Sequence, residues 1–202
     1  MARYLETPIN RADLENIAAG DTVYLNGLFV TARDSAHERL VSGAELPIDL
    51  KGAGLYHAGP IVRQSAIGWE LVAMGPTTSM RMEKLETEFI RRTGVKIIIG
   101  KGGMGGETAA ACREFGCVHA VYTGGCGVLA AEQARITGLY WDDLGMAEAV
   151  WVCRAENFGP LVVSIDSKGN NFFEANKDLY RRNKARIFTA FAGDFRALQS
   201  EL

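Results

Sequence analysis

The chain lacks most of the features that would assign it at a glance. Its 202 residues carry 22 Lys plus Arg against 24 Asp plus Glu, a formal charge of −2, so the basic excess of a nucleic-acid binder is missing. Its apolar runs resemble Val95-Lys96-Ile97-Ile98-Ile99 and fall far short of the roughly 18 residues of a membrane span. The opening Met1-Ala2-Arg3-Tyr4-Leu5-Glu6 has no apolar core of a signal peptide. Cys112, Cys117, Cys126 and Cys153 form no CxxC pair and are too few for a disulfide scaffold. These absences predict a reduced, cytoplasmic protein, with residues 1–202 as a single domain. The three histidines belong to no HExxH motif and to no Ser-His-Asp order, which removes support for a hydrolase.

Glycine is what the chain has in excess: 23 residues, about 11% where about 7% is usual. The glycines cluster where apolar strands would end. Leu71–Met74 meets Gly75-Pro76-Thr77-Thr78, and an amphipathic stretch follows over 80–92. Val95–Ile99 meets Gly100-Lys101-Gly102-Gly103-Met104-Gly105-Gly106, then a helix over 108–115. Cys117–Tyr122 meets Gly124-Gly125-Cys126-Gly127, then a helix over 128–135 and a short strand over 138–141. This alternation predicts an α/β fold with a parallel βαβαβ element and right-handed crossovers. Around it we expect a short helix over 11–18, a hairpin or strand pair over 21–30, and a helix capped by Asp34 or Ser35 and running to Val41. Further strands are expected over 54–57, 150–153 and 161–165, with a turn at Ser167-Lys168-Gly169-Asn170. A long helix should run to Leu198, with Leu179, Tyr180, Ile187, Phe188, Phe191 and Phe195 as its core face.

In a parallel sheet the strand-to-helix loops share the carboxyl edge, where ligands bind. The loops from Gly75, Gly100 and Gly124 should therefore lie side by side, with three helix N-termini offering unpaired N–H groups to an anion. Arg81, Lys101 and Arg33 are the cations placed to join them, and Gly100 and Gly102 let a ligand approach the backbone. Such a site suits a small dicarboxylate. Gly100-x-Gly102-x-x-Gly105 matches a dinucleotide fingerprint literally, but Tyr122-Thr123-Gly124 stands where the acidic ribose partner belongs. Cys112 falls mid-helix, Cys117 starts a strand and Cys126 lies past that strand's far end, roughly 17 Å away, so the four thiols cannot share one cluster or zinc ion. Cys126, at a helix N-terminus, is the one candidate for a reactive thiol. His57 and His119 read as core residues, and His37, four residues after Arg33, as a site candidate.

Four segments in order carry a resemblance. They are Thr31-Ala32-Arg33-Asp34-Ser35-Ala36-His37, Gly75-Pro76-Thr77-Thr78-Ser79-Met80-Arg81-Met82, Gly100-Lys101-Gly102-Gly103-Met104 and Ile165-Asp166-Ser167-Lys168-Gly169-Asn170. Together they resemble the β subunit of two-subunit iron–sulfur hydro-lyases, the family of class I fumarase and L(+)-tartrate dehydratase. The same sequence type forms the C-terminal domain of single-chain class I fumarases. Ser79-Met80-Arg81-Met82-Glu83, Val152-Cys153-Arg154 and Phe158-Gly159-Pro160-Leu161 look more like the tartrate dehydratase branch. The resemblance implies a swivelling β/β/α domain and an α2β2 assembly. It also implies an α subunit that carries a [4Fe–4S] cluster and an acidic residue that activates Thr77. By the same likeness Arg33, Arg81 and Lys101 bind substrate carboxylates, Thr77 removes the proton, and the chain is active only with its α subunit. A fumarate hydratase β subunit and a non-catalytic anion-binding module are the alternatives.

Overall fold

Period-2 burial organises the longest early strand. Val23, Leu25 and Phe29 of β2 (Thr22–Thr31) point into one core, and β1 (Arg3–Glu6) runs parallel beside it. A computed structural model of the chain describes residues 3–66 and 68–200, apart from the side chains of 178, 190 and 192–200. One unit ends at Asn171 and a second begins at Phe172.

In the first unit β2, β3 (Gly54–Tyr56), β6 (Ile97–Gly100) and β7 (Val118–Val121) are successive parallel neighbours. The 16-residue β9 (Val150–Ile165) runs antiparallel to β7 and also to β2, so the pairings close into a ring. β8 (Ala134–Tyr140) adds antiparallel to β9. Alternate residues of β6 serve two cores: Ile97 and Ile99 join Phe29, Tyr56 and Phe158, while Ile98 joins Leu55, Phe89 and Cys112. The second core lies under three helices, α2 (Asp34–Val41), α3 (Glu83–Thr93) and α4 (Gly106–Phe115). A small α1 (Arg11–Leu14) precedes β2, and α5 (Gly127–Glu132) precedes β8. β4 (Ile61–Ser65) and β5 (Gly68–Ala73) form a separate antiparallel pair.

Several expectations change here. The parallel βαβαβ element exists, but its first strand is Gly54–Tyr56; Leu71–Ala73 belongs to the hairpin β4–β5. Half-exposed Trp69 and Val72 explain why that apolar run does not enter the main sheet. The segment over 138–141 is the end of β8 and runs antiparallel. Asn26-Gly27, the natural turn signal for a hairpin, lies inside one continuous strand. Gly27 adopts φ +91° in a bulge, where a Cβ would stand 2.2 Å from Thr7 Oγ1. Likewise the two expected C-terminal strands are one, β9.

The second unit is α6 (Phe172–Ser200). Its predicted core stripe is not a core: Leu179, Tyr180, Ile187, Phe188 and Phe191 are 45–64% exposed, and the Phe195 side chain lies outside the described residues. Helical periodicity shows that a stripe exists but not what covers it. Among the described residues no helix is long and apolar enough to cross a membrane.

Phe158 is the hub of the first core, with ring centroids 5.3 Å from Phe29, 5.3 Å from Tyr56 and 5.2 Å from Tyr122. Phe158→Ala should therefore lower stability by about 3–5 kcal/mol in urea unfolding. A loss below about 1 kcal/mol would show that the ring is not packed as described.

Candidate active site

Because β2, β3, β6 and β7 are parallel, Arg33, His57, Lys101 and Thr123 all follow strand ends at one edge. The segment Pro76–Ser79 is spliced into that edge. Thr77 N–H donates to the His57 carbonyl (2.7 Å), Lys101 N–H to the Thr77 carbonyl (3.0 Å), and Ser79 N–H to the Lys101 carbonyl (3.1 Å). Pro76, which has no N–H, bridges to Ala58 just before the splice. Met74 N–H donates to the Gly127 carbonyl (2.8 Å), and a Cβ on Gly124 would lie 4.0 Å from the Lys101 side chain. The loops from Gly75, Gly100 and Gly124 thus meet as expected, the first of them arriving from outside the main sheet.

The cations are partly engaged by carboxylates that the sequence reading did not assign to the site. Asp34 Oδ1 accepts a hydrogen bond from Arg81 Nε (3.0 Å), and its other oxygen lies at ion-pair distance from a terminal nitrogen of Arg81 (2.8 Å) and 3.9 Å from Arg33. Glu148 lies 3.4 Å from Arg33 Nε. Asp34 therefore stands between the two arginines and brings them together. It does not act as the predicted cap: Arg33 is the N-cap of α2, without a side-chain cap bond. Arg33 lies over Gly59, where a Cβ would be 2.7 Å from its guanidinium. Lys101 is exposed, and its ammonium has no ion-pair partner among the described residues. Thr77 is half-buried and Thr78 exposed.

The helix N-termini also differ from expectation. Glu83 accepts from Gly105 N–H (2.7 Å), Glu107 N–H (3.1 Å), Thr108 N–H (3.2 Å) and the Thr108 hydroxyl (2.7 Å), which fills the N-terminus of α4. The donors that a dinucleotide pyrophosphate would use are thereby occupied. Glu148 accepts from Ser35 N–H at the start of α2 (3.0 Å). An anion at this edge would have to be held by side-chain cations and loop backbone. Glu83 could have been noticed as a carboxylate near the Gly100 loop, but no local pattern ties residue 83 to residues 105–108.

All three histidines are fully buried. His37 therefore does not reach the loop surface; its Nδ1 donates to the Arg33 carbonyl (2.8 Å). His57 Nε2 and His37 Nε2 lie 3.1 and 3.5 Å from Glu86 Oε2. His57, Ser79, His119 and Ser164 continue as a chain of side-chain hydrogen bonds. Desolvation lowers His57 and takes His119 down to about 3. His37, His57 and Glu86 are the one set of three or more potential metal-ligand atoms that converges among the described residues. The cysteines do not converge. Cys112 and Cys117 belong to the core under the helices, Cys153 to the ring core, and Cys126 packs at the ring core's margin. Cys153 is pushed up to about 12 by burial, and Cys112 is raised by a thiol hydrogen bond with Cys117 and by burial. The residues of this chain thus do not fit an iron–sulfur cluster of their own.

Two recesses, of about 410 Å³ beside Leu40 and Arg92 and about 290 Å³ beside Tyr122 and Cys126, are lined by neither Thr77 nor Lys101. The candidate site is an open edge.

The sequence model of the family described as "Fumarase C-terminus" matches residues 3–176. The L(+)-tartrate dehydratase subunit beta of Escherichia coli K12 is 50% identical over 189 residues, spanning 93% of this chain and 94% of that protein. The Shigella sonnei protein of the same name is 49% identical over the same share. A Geobacillus stearothermophilus protein, provisionally named fumarate hydratase class I, is 36% identical over 84% of this chain and 33% of its own length.

Two glycines of the Lys101 loop should respond differently to substitution. A Cβ at Gly100 would stand 1.9 Å from Ser79 Oγ and 3.2 Å from His57 Nδ1, whereas Gly102, at φ +71°, has open space around it. Gly100→Ala should cost about 1–3 kcal/mol by overpacking, and Gly102→Ala about 1 kcal/mol through its left-handed backbone. Urea unfolding of both variants checks the order; a reversed order would contradict the packing of Ser79 against β6.

Proposed function

The chain belongs to the fumarase C-terminus family, and from that premise we propose that it is the β subunit of an L(+)-tartrate dehydratase. In this reading it converts L(+)-tartrate to oxaloacetate with an α subunit, as a hydro-lyase of α2β2 form in the cytoplasm. The observation that carries the proposal is the splice that links Thr77 to Lys101 on the edge where Arg33 and Arg81 meet across Asp34. The closed ring of strands supports assignment as a swivelling β/β/α domain. The four free thiols suit a reducing compartment.

The residue types suit dehydration of a 2-hydroxy dicarboxylate. Arg33, Arg81 and Lys101 supply cationic donors for two carboxylates, and the Gly100 and Gly102 backbone leaves room for close approach. Asp34 takes only part of the donor capacity of Arg81, which is half-exposed. Thr77 Oγ1 would take the proton from carbon as its own hydroxyl proton passes to an acidic residue of the α subunit, while Lys101 stabilises the charge that grows on the adjacent carboxylate. A hydroxyl is a weak base in water, so this role requires cations alongside it and an acidic residue from the α subunit in a closed site. A [4Fe–4S] cluster in the α subunit would supply the Lewis acid for the departing hydroxyl. The open edge supports completion of the site by a partner. A fumarate hydratase β subunit acting on (S)-malate uses the same four side chains, and the likeness to the Geobacillus protein favours it as the second reading.

Anaerobic co-expression with the α subunit, followed by turnover of L-tartrate and (S)-malate, tests the proposal. We expect kcat/KM for tartrate to lead by at least about tenfold, no turnover by the isolated chain, and a fall in kcat of about 10²–10⁴ in Thr77→Val. Preference for malate would move the assignment to fumarate hydratase. Unchanged turnover in Thr77→Val would remove the threonine from the chemistry, and an active isolated chain would overturn the two-subunit site.

A further inference from the structure

Among the described residues six buried side-chain polar atoms have no hydrogen-bond partner, and four of them belong to one cluster. These are His37 Nε2, His57 Nε2 and both carboxylate oxygens of Glu86, on residues that are 0% exposed. Buried polar atoms are almost always paired, so four unpaired ones in one place call for a ligand. One donor atom from each residue lies within 4.8 Å of the others. Glu86 Oε2 stands 3.1 Å from His57 Nε2 and 3.5 Å from His37 Nε2. Two ligands bonded at about 2.1 Å to one tetrahedral ion stand roughly 3.4 Å apart, close to that spacing.

The surrounding hydrogen bonds turn lone pairs, rather than hydrogens, into this space. A carbonyl can only accept, so the hydrogen of a neutral His37 ring sits on Nδ1, bonded to the Arg33 carbonyl (2.8 Å), and Nε2 is bare. The His57 ring is fixed by a longer chain. Ser164 Oγ donates to the His119 carbonyl (3.3 Å), so His119 Nδ1 donates to Ser164 Oγ (2.5 Å). His119 Nε2 then accepts from the Ser79 hydroxyl (3.0 Å), whose oxygen accepts from His57 Nδ1 (3.0 Å). His57 Nε2 is therefore bare as well. Two imidazole lone pairs and two carboxylate oxygens face one another with no hydrogen between them, and such an array binds a cation. A metal-bound histidine ordinarily gives its other ring hydrogen to an oxygen, as both rings do here.

We infer that His37 Nε2, His57 Nε2 and the two oxygens of Glu86 hold a zinc ion that ties α2, the end of β3 and α3 together behind the Thr77–Lys101 splice. The donor set selects the ion. Imidazole nitrogen with carboxylate oxygen suits zinc, whereas calcium and magnesium take oxygen ligands throughout. Glu86 supplies two of the four donors, because both its oxygens are unpaired. Phe89, stacked on His37 with centroids 4.3 Å apart, walls the site on one side. The cluster is closed to substrate, so the ion is structural and is taken up as the chain folds. It reaches the candidate active site through the backbone: His37 holds the Arg33 carbonyl, and the His57 carbonyl receives Thr77 N–H. The inference does not depend on the dehydratase reading.

Elemental analysis of the untagged full-length chain, purified without added metal, should find about one zinc per chain. X-ray absorption at the zinc edge should show nitrogen and oxygen ligands at about 2.0–2.2 Å and no sulfur at about 2.3 Å. Glu86→Gln and His37→Gln should each cut the zinc content about tenfold. The unsubstituted chain refolded from urea with zinc should have a higher urea midpoint than the same chain refolded with a chelator. Zinc below about 0.1 per chain, both as purified and after refolding with excess zinc, overturns the inference. Sulfur in the shell, full zinc content in both variants, or equal urea midpoints would overturn it too. The metal content and absorption spectrum of the unsubstituted chain decide the matter even if neither variant folds.

Discussion

Two backbone hydrogen bonds, from Thr77 N–H to the His57 carbonyl and from Lys101 N–H to the Thr77 carbonyl, hold Thr77 and Lys101 together at one edge of the sheet. They splice a loop from outside the main sheet into the gap beyond β3 and β6. Without them Thr77 would belong to the exposed hairpin β4–β5, and Lys101 would be one more surface lysine. The parallel order of β2, β3, β6 and β7 supplies the shared edge, and the splice brings Thr77 beside Lys101 on it. The fully buried histidines lie immediately behind it, where Gly100, Ser79 and His57 pack against one another.

The electrostatics of the edge are arranged to leave some charges open and to close others. Asp34 and Glu148 hold Arg33 and Arg81 in place, and Glu83 fills the N-terminus of α4. A charge-assisted hydrogen bond fixes direction as well as energy, so the bond from Arg81 Nε to Asp34 orients that guanidinium, while Arg33 is held by ion-pair contacts alone. Lys101 remains exposed and unpaired among the described residues. In the proposed reading a dicarboxylate would meet one open cation and two held by carboxylates. A partner subunit that covers the edge would exclude water and strengthen each of these contacts.

Legibility in the sequence followed the range of the interaction. Helices α3 and α4, strands β6 and β7, and the turn after Ile165 were readable because periodicity and glycine are local signals. The motif residues Arg33, Thr77, Arg81 and Lys101 were named from family resemblance, and the splice brings Thr77 and Lys101 onto one edge. Asn26-Gly27 misled because a turn dipeptide also serves a bulge in a long strand. Leu71–Ala73 misled because an apolar strand does not reveal which sheet it joins. Asp34, Glu83, Glu86 and Glu148 were missed as site carboxylates for one reason: their partners are distant in sequence. The stripe of α6 was seen as apolar, but its exposure was not visible in its period.

The most direct test of the account is a crystal structure of the complex with the α subunit and L-tartrate bound. The account predicts both carboxylates within hydrogen-bonding distance of Arg33, Arg81 and Lys101, with Thr77 Oγ1 facing the carbon that loses its proton. Tartrate held wholly by α-subunit side chains, with Thr77 and Lys101 facing solvent, would contradict it.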